Sequence, residues 1–80
     1  MNPRVIYVKA EKDYHLRLWF SNGDVRIFDV TPYLNAGLFS ELKEIHLFRS
    51  VIPFMGSVQW SNGLDLCPDT LYEESVKAHI

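Results

Sequence analysis

The same short phrase occurs twice in this sequence, and each copy predicts a tight β-hairpin turn. Residues 20–24 read Phe-Ser-Asn-Gly-Asp, and residues 60–65 read Trp-Ser-Asn-Gly-Leu-Asp. Asn-Gly is the strongest short hairpin signal, because a two-residue type I′ turn needs positive φ at both central residues and these residue types tolerate it best. The flanking segments differ too much to indicate an internal duplication. The chain is therefore expected to contain two independent hairpins.

Alternating apolar and polar residues around the first turn predict a three-stranded antiparallel meander. The strands are expected near residues 4–10, 14–21 and 24–30, in that order. The core face of the meander is predicted to carry five apolar side chains: Leu16, Leu18, Phe20, Val25 and Ile27.

A two-residue loop at Asn22-Gly23 also sets the pairing between the second and third strands. It places Trp19 opposite Arg26 and Arg17 opposite Phe28. These four side chains are then predicted to lie together on the outer face, with Val5, Tyr7 and Lys9 of the first strand beside them. We predict a partner-binding surface formed by Arg17, Trp19, Arg26 and Phe28.

The second half of the chain predicts helices and a shorter hairpin. Apolar spacings of three and four indicate a helix near 38–48, and Pro68 is expected to start a terminal helix near 68–77. Pro53 limits its surroundings to an edge or irregular strand. The predicted fold is α+β in a single domain over residues 1–80: a three-stranded antiparallel meander, a helical segment, a β-hairpin around Asn62-Gly63 and a C-terminal helix.

The composition describes an ordinary globular domain without a bias towards polyanionic partners. The net charge is −2 and the pI is near 5.8, so the chain as a whole does not attract phosphate backbones or anionic lipid. No apolar run approaches the ~18 residues that suggest a membrane span. The one cysteine, Cys67, cannot form an internal disulfide and is expected to be a small buried residue. These features predict a soluble, cytoplasmic protein.

No group of residues in the sequence has the spacing that catalysis or metal binding requires. The histidines His15, His46 and His79 are far apart, without nearby metal-ligand partners. Asp24 and Asp65 follow the two turns, where carboxylates commonly cap backbone N–H groups. We therefore expect no enzyme activity, and no catalytic, metal-binding or cofactor-binding residues.

The outer face of the meander admits three interpretations. A helix of the same chain covers it, or its residues form cross-strand cation–π pairs. Alternatively, a protein partner covers it. In the third interpretation Trp19 and Phe28 stack on single-stranded bases while Arg17 and Arg26 bind phosphates. The overall negative charge makes direct nucleic-acid contact the least favoured of the three.

Several motifs resemble a small bacterial family known as domain of unknown function 2442. Residues 28–34 read Phe-Asp-Val-x-Pro-Tyr-Leu, and residues 62–72 read Asn-Gly-x-Asp-Leu-x-Pro-x-x-Leu-Tyr. The resemblance spans essentially the whole chain. It implies an antitoxin-like half of a toxin–antitoxin pair, whose partner is a small protein encoded nearby.

The function expected from residues and resemblance together is a non-enzymatic interaction module. A self-complementary outer face would also support a homodimer. The alternative is a nucleic-acid-binding module that uses the aromatic and basic sheet face.

Overall fold

The structure is a computed structural model that describes residues 2–78. The strands in chain order are β1 Val5–Glu11, β2 His15–Phe20, β3 Val25–Asp29, β4 Ile52–Phe54, β5 Ser57–Gln59 and β6 Val76–Lys77. The α-helices are α1 Ile45–Phe48 and α2 Pro68–Glu74, and the 3₁₀ segments are Lys12–Tyr14, Thr31–Tyr33 and Gly37–Lys43.

The strands form two antiparallel sheets. The larger has the order β1-β2-β3-β6, and β4 pairs with β5 in a separate two-stranded sheet. The predicted α+β fold with its N-terminal meander is confirmed. The strand at Pro53 pairs on one side only, with β5, as a residue without a backbone N–H requires.

The first Asn-Gly turn has a three-residue loop, so the predicted type I′ geometry is wrong. The Gly23 N–H donates to the Phe20 carbonyl (3.0 Å), and the Phe20 N–H donates to the Asp24 carbonyl (2.8 Å). Gly23 has a φ of +91°, whereas Asn22 is not in the positive-φ region. This is a type I turn followed by a glycine bulge. Asn22 is used instead for its side chain, whose Oδ1 accepts from the Asp24 N–H.

The longer loop shifts the β2–β3 register by one residue from the prediction. Leu18 lies opposite Arg26 and Leu16 lies opposite Phe28. The predicted core residues of β2 are buried, but β3 faces the other way, because a one-residue shift exchanges the two faces of a strand. Ile27 therefore lies on the outer face rather than in the core.

The second Asn-Gly turn repeats this geometry. Gly63 has a φ of +90°, and the Trp60 N–H donates to the Leu64 carbonyl (2.9 Å). Beyond this turn the two sides of the hairpin are joined by a single bridge, between Gln59 and Asp65. The hairpin is thus very short.

The predicted helix over 38–48 is divided into two pieces. Residues Gly37–Lys43 form a 3₁₀ helix, and α1 begins after Glu44, whose backbone is extended. The Glu44 side chain accepts a hydrogen bond from the Leu47 N–H (2.8 Å). Glu44, which is exposed, is therefore the N-cap of a new helix rather than a residue inside a continuous one.

The terminal helix is shorter than predicted. α2 ends at Glu74, and Val76, which falls within the helix predicted near 68–77, belongs instead to β6 and pairs with Ile27. The Ala78 N–H donates to the Val25 carbonyl, which extends this pairing (2.9 Å). The end of the described chain satisfies backbone groups at the open edge of β3.

The core lies between the inner face of the larger sheet and the elements that follow it in the chain. Its largest fully buried side chains are Trp60, Phe20, Phe28 and Phe48. The Trp60 indole N–H donates to the Phe48 carbonyl (2.9 Å) and so satisfies the only polar group of a buried tryptophan.

Arg4 connects the end of the larger sheet to the β4–β5 turn. The Ser21 N–H donates to the Arg4 carbonyl (2.8 Å), and the Arg4 N–H donates to Ser21 Oγ (3.1 Å). Its guanidinium donates to the Met55 carbonyl (2.9 Å). A Cβ at Gly56 would lie 2.5 Å from Arg4 Nε and would displace the guanidinium, and the φ of +82° at this position itself favours glycine.

Candidate interaction face

The outer face is the surface of the larger sheet that is turned away from the core. The apolar side chains of this face lie towards the β2–β3 turn and towards β6, and the charged ones lie towards the opposite end of the sheet, so Ile27 and Val76 share a row with Arg17 and Lys9. The apolar end comprises Ile6, Tyr7, Trp19, Val25, Ile27 and Val76. The charged end comprises Lys9, Glu11, His15, Arg17 and Asp29.

A β-bulge creates the most exposed part of the apolar end. The β1–β2 register shifts between Val5 and Tyr7, so Ile6 is an extra residue in β1. Ile6 and Tyr7 are consecutive, yet both are exposed, by 63% and 56%. The Tyr7 ring packs against Trp19 of β2, with 5.0 Å between ring centroids. The sequence signal for this exposed site was the run Val5-Ile6-Tyr7-Val8, in which apolar residues do not alternate with polar ones.

The charged end contains an ion pair between neighbouring strands. Arg17 Nε lies 2.9 Å from Glu11 Oε2. His15 Nε2 lies 3.8 Å from Asp29 Oδ1, a contact that is an ion pair only when the imidazole is protonated. The hydrogen bond from Arg17 lowers the pKa of Glu11 despite its partial desolvation. In residues 2–78, Lys9 is the one cation of this face without an ion-pair partner.

The four predicted site residues divide between the two faces of the sheet. Arg17 and Trp19 lie on the outer face, as predicted, but Arg26 and Phe28 lie on the inner face. The prediction that all four lie together is wrong, because it relied on the two-residue loop. The cross-strand pairs proposed between them are also absent from this register.

On the inner face, the Arg26 side chain contacts α2 and the residue that follows it. Its Nε donates to Ser75 Oγ (2.9 Å), and its Nη2 donates to the Ser75 carbonyl (3.2 Å). The guanidinium carbon lies 4.4 Å from the centroid of the Tyr72 ring. These contacts join β3 to the end of α2.

Tyr72 also fixes the carboxylate that follows the first turn. Its hydroxyl donates to Asp24 Oδ2 (2.6 Å), and this hydrogen bond, with a second one from Asn22, lowers the pKa of Asp24 below its ordinary 3.8. A depressed carboxyl pKa stabilises the folded state above the unfolded-state pKa, and this contribution is lost as the pH falls through the folded-state value.

Replacing Tyr72 with phenylalanine is expected to raise the pKa of Asp24 towards its ordinary value. The loss of stability at acidic pH should then be less steep, because the numbers of protons that Asp24 binds in the folded and unfolded states become more similar. Carboxyl-carbon NMR titration and urea unfolding at a series of acidic pH values measure the two effects. Tyr7→Phe is the matched control, since the Tyr7 hydroxyl has no hydrogen-bond partner within residues 2–78. An unchanged Asp24 titration in Tyr72→Phe would contradict the assignment.

The other candidate residues of the sequence remain separated. No group of three His, Cys, Asp or Glu side chains in residues 2–78 could hold a metal ion. His15 belongs to β2 and His46 to α1, whereas His79 lies outside the described residues. Cys67 is exposed rather than buried as expected, because it immediately precedes α2 at the surface.

Across the described residues, no helix has the length and apolar character that crossing a membrane would require.

The structure defines a small α+β domain in which the described residues cover one face of an antiparallel sheet and leave apolar side chains exposed on the other. Residues 5–77 match the family described as protein of unknown function DUF2442, and the chain belongs to this family. No curated protein and no solved structure matches the chain.

Proposed function

We propose that this chain is a non-enzymatic module that binds a protein partner through the apolar end of its outer face. The observation that supports this is the Tyr7–Trp19 aromatic pair, which has exposed Ile6 next to it in β1 and Val25 opposite Trp19 in β3. Aromatic side chains surrounded by aliphatic ones are typical of the centre of protein interfaces. Contiguous apolar patches on small domains commonly mark such sites.

The charges of the face favour an apolar protein surface over nucleic acid. Arg17 is paired with Glu11, and Arg26 is on the opposite face against Ser75. Of the two arginines proposed to bind phosphates, one is already neutralised and the other is inaccessible from this face. A partner that covers Tyr7 and Trp19 need only meet Lys9 with a carboxylate or leave it at the solvated rim.

The specific role we propose is that of an antitoxin-like protein that covers a small toxin encoded nearby. The toxin expressed alone should slow growth of the host, and co-expression of this chain should restore it. Restoration by the Trp19→Ala chain to the same degree would remove the outer face from this role.

Trp19→Ala is expected to weaken binding of that partner about tenfold or more, because truncation removes the aromatic centre of the interface. Isothermal titration calorimetry with the purified partner measures the change. Leu38→Ala is the control, because Leu38 is an exposed leucine on the 3₁₀ helix, outside the larger sheet. Equal affinities for the two variants would contradict the proposal.

Two other occupants of the face have distinct signatures. Concentration-dependent sedimentation of the chain alone, abolished by Trp19→Ala, would identify a second copy as the occupant. Salt-sensitive binding of single-stranded RNA, also abolished by Trp19→Ala, would support the alternative nucleic-acid function.

A further inference from the structure

A second surface lies in the layer opposite the outer face. The β4–β5 turn and the segment between Gly63 and α2 line an open pocket of about 360 Å³. Its walls include Phe54, Met55 and Leu66, and its lining also includes Asp65, which is exposed. None of these residues contributes to the outer face.

The apolar wall of this pocket is unusually accessible. Phe54 is 42% exposed and Met55 is 77% exposed, although both belong to a short segment at the edge of the smaller sheet. The turn that carries them is anchored from outside the pocket, because Arg4 donates to the Met55 carbonyl and the Val5 N–H donates to the Gly56 carbonyl (3.0 Å). The wall is therefore formed before any ligand arrives.

Asp65 gives the pocket a negative charge that the described residues do not neutralise. The carboxylate accepts no hydrogen bond and makes no ion pair within residues 2–78. By contrast, the nearby acidic side chains Asp69 and Glu73 both accept hydrogen bonds from Asn2 (3.1 Å each). Ser57 Oγ cannot serve Asp65, because it donates to the Leu66 carbonyl.

The start of α2 does not reverse this charge. A helix N-terminus has a partial positive charge, but α2 is only 7 residues long and has Asp69 in its first turn. The pocket therefore combines apolar walls, an exposed aromatic ring and an unpaired carboxylate.

We propose that this pocket binds an arginine side chain presented by a protein partner. The aliphatic stem of arginine would pack against Met55 and Leu66. The planar guanidinium would form paired hydrogen bonds with Asp65 and stack on the exposed Phe54 ring. An aliphatic side chain would leave the carboxylate unpaired, and an acidic one would be repelled by it. Lysine lacks the planar fork that allows paired hydrogen bonds.

The site is tested by NMR titration of the full chain with three short capped peptides. Acetyl-Gly-Arg-Gly-amide is compared with the same peptide containing citrulline, the neutral isostere of arginine, and with one containing norleucine. The arginine peptide should produce saturable shifts of the Phe54, Met55, Leu66 and Cys67 amide signals. The citrulline peptide should bind about fivefold more weakly or worse, because it loses the charge but keeps the shape.

Asp65→Asn should reduce the affinity for the arginine peptide to that for the citrulline peptide. An unchanged melting temperature would show that this variant remains folded, as expected for a carboxylate without partners. Equal binding of all three peptides would reduce the pocket to an apolar groove, and the absence of saturable shifts with any of them would eliminate it. Because the peptides do not reach the outer face, these results are independent of the toxin-binding test.

Discussion

Replacing Phe28 with alanine is expected to lower the free energy of unfolding by about 3–5 kcal/mol, the usual cost of removing a phenyl ring from a packed core. Phe28 is 1% exposed, and its ring stacks on Tyr33 with 5.8 Å between centroids. Urea denaturation followed by circular dichroism measures the loss. Since small domains have only ~5–15 kcal/mol of stability in total, Phe28→Leu provides a milder variant that should remain folded.

Ile27→Ala is the control for this prediction. Ile27 is the neighbour of Phe28 in β3 but lies on the outer face, where it is half-buried. Its truncation should cost about 1 kcal/mol, because only part of its surface is removed from water on folding. A larger loss for Ile27→Ala than for Phe28→Ala would show that the register is that of a two-residue loop after all.

Arg26→Met is expected to lower the free energy of unfolding by about 2–3 kcal/mol, although it retains the length and apolar stem of the side chain. The substitution removes both hydrogen bonds to Ser75 and leaves the Ser75 carbonyl without that donor in a residue that is almost fully buried. It also removes the cation from the Tyr72 ring. In a domain of this size the loss corresponds to a fall in melting temperature of roughly 8–24 °C.

Arg17→Met separates this effect from the loss of a surface cation. Arg17 is on the adjacent strand and pairs with Glu11, but that pair is on the partly solvated outer face. Exposed ion pairs contribute at most about 1 kcal/mol. Equal destabilisation by the two substitutions would contradict the different roles that the structure assigns to the two arginines. Substitution of Arg26 thus tests the stability of the fold, whereas substitution of Trp19 tests partner binding.

The sequence was sufficient where the signal was local. Leu16, Leu18 and Phe20 alternate within one strand, and their burial follows directly from that period. The face of β3 was not predictable from its own residues, because Val25, Ile27 and Phe28 offer an apolar side chain on either side. Its orientation depends on whether the loop has two or three residues, and Ser-Asn-Gly is compatible with both.

Other features depend on contacts between distant segments. The apolar spacing over 38–48 is helical, but only the structure shows that Glu44 caps a new helix there. The pairing of Val76 with Ile27 satisfies backbone groups at the edge of β3. The helical pattern of the terminal segment does not predict this pairing. Likewise, the pocket at Asp65 brings together two turns that are separate in the sequence.

Arg4 gives the two proposed binding surfaces a common support. Through Ser21 it is bonded to the loop that ends β2 beyond Trp19, and through Met55 it is bonded to the wall of the pocket. A ligand that displaced Arg4 on one side would therefore be expected to disturb hydrogen bonds on the other side. Such an effect is reciprocal by thermodynamic linkage: if an arginine in the pocket changes affinity at the outer face, a protein on the outer face changes affinity at the pocket by the same factor.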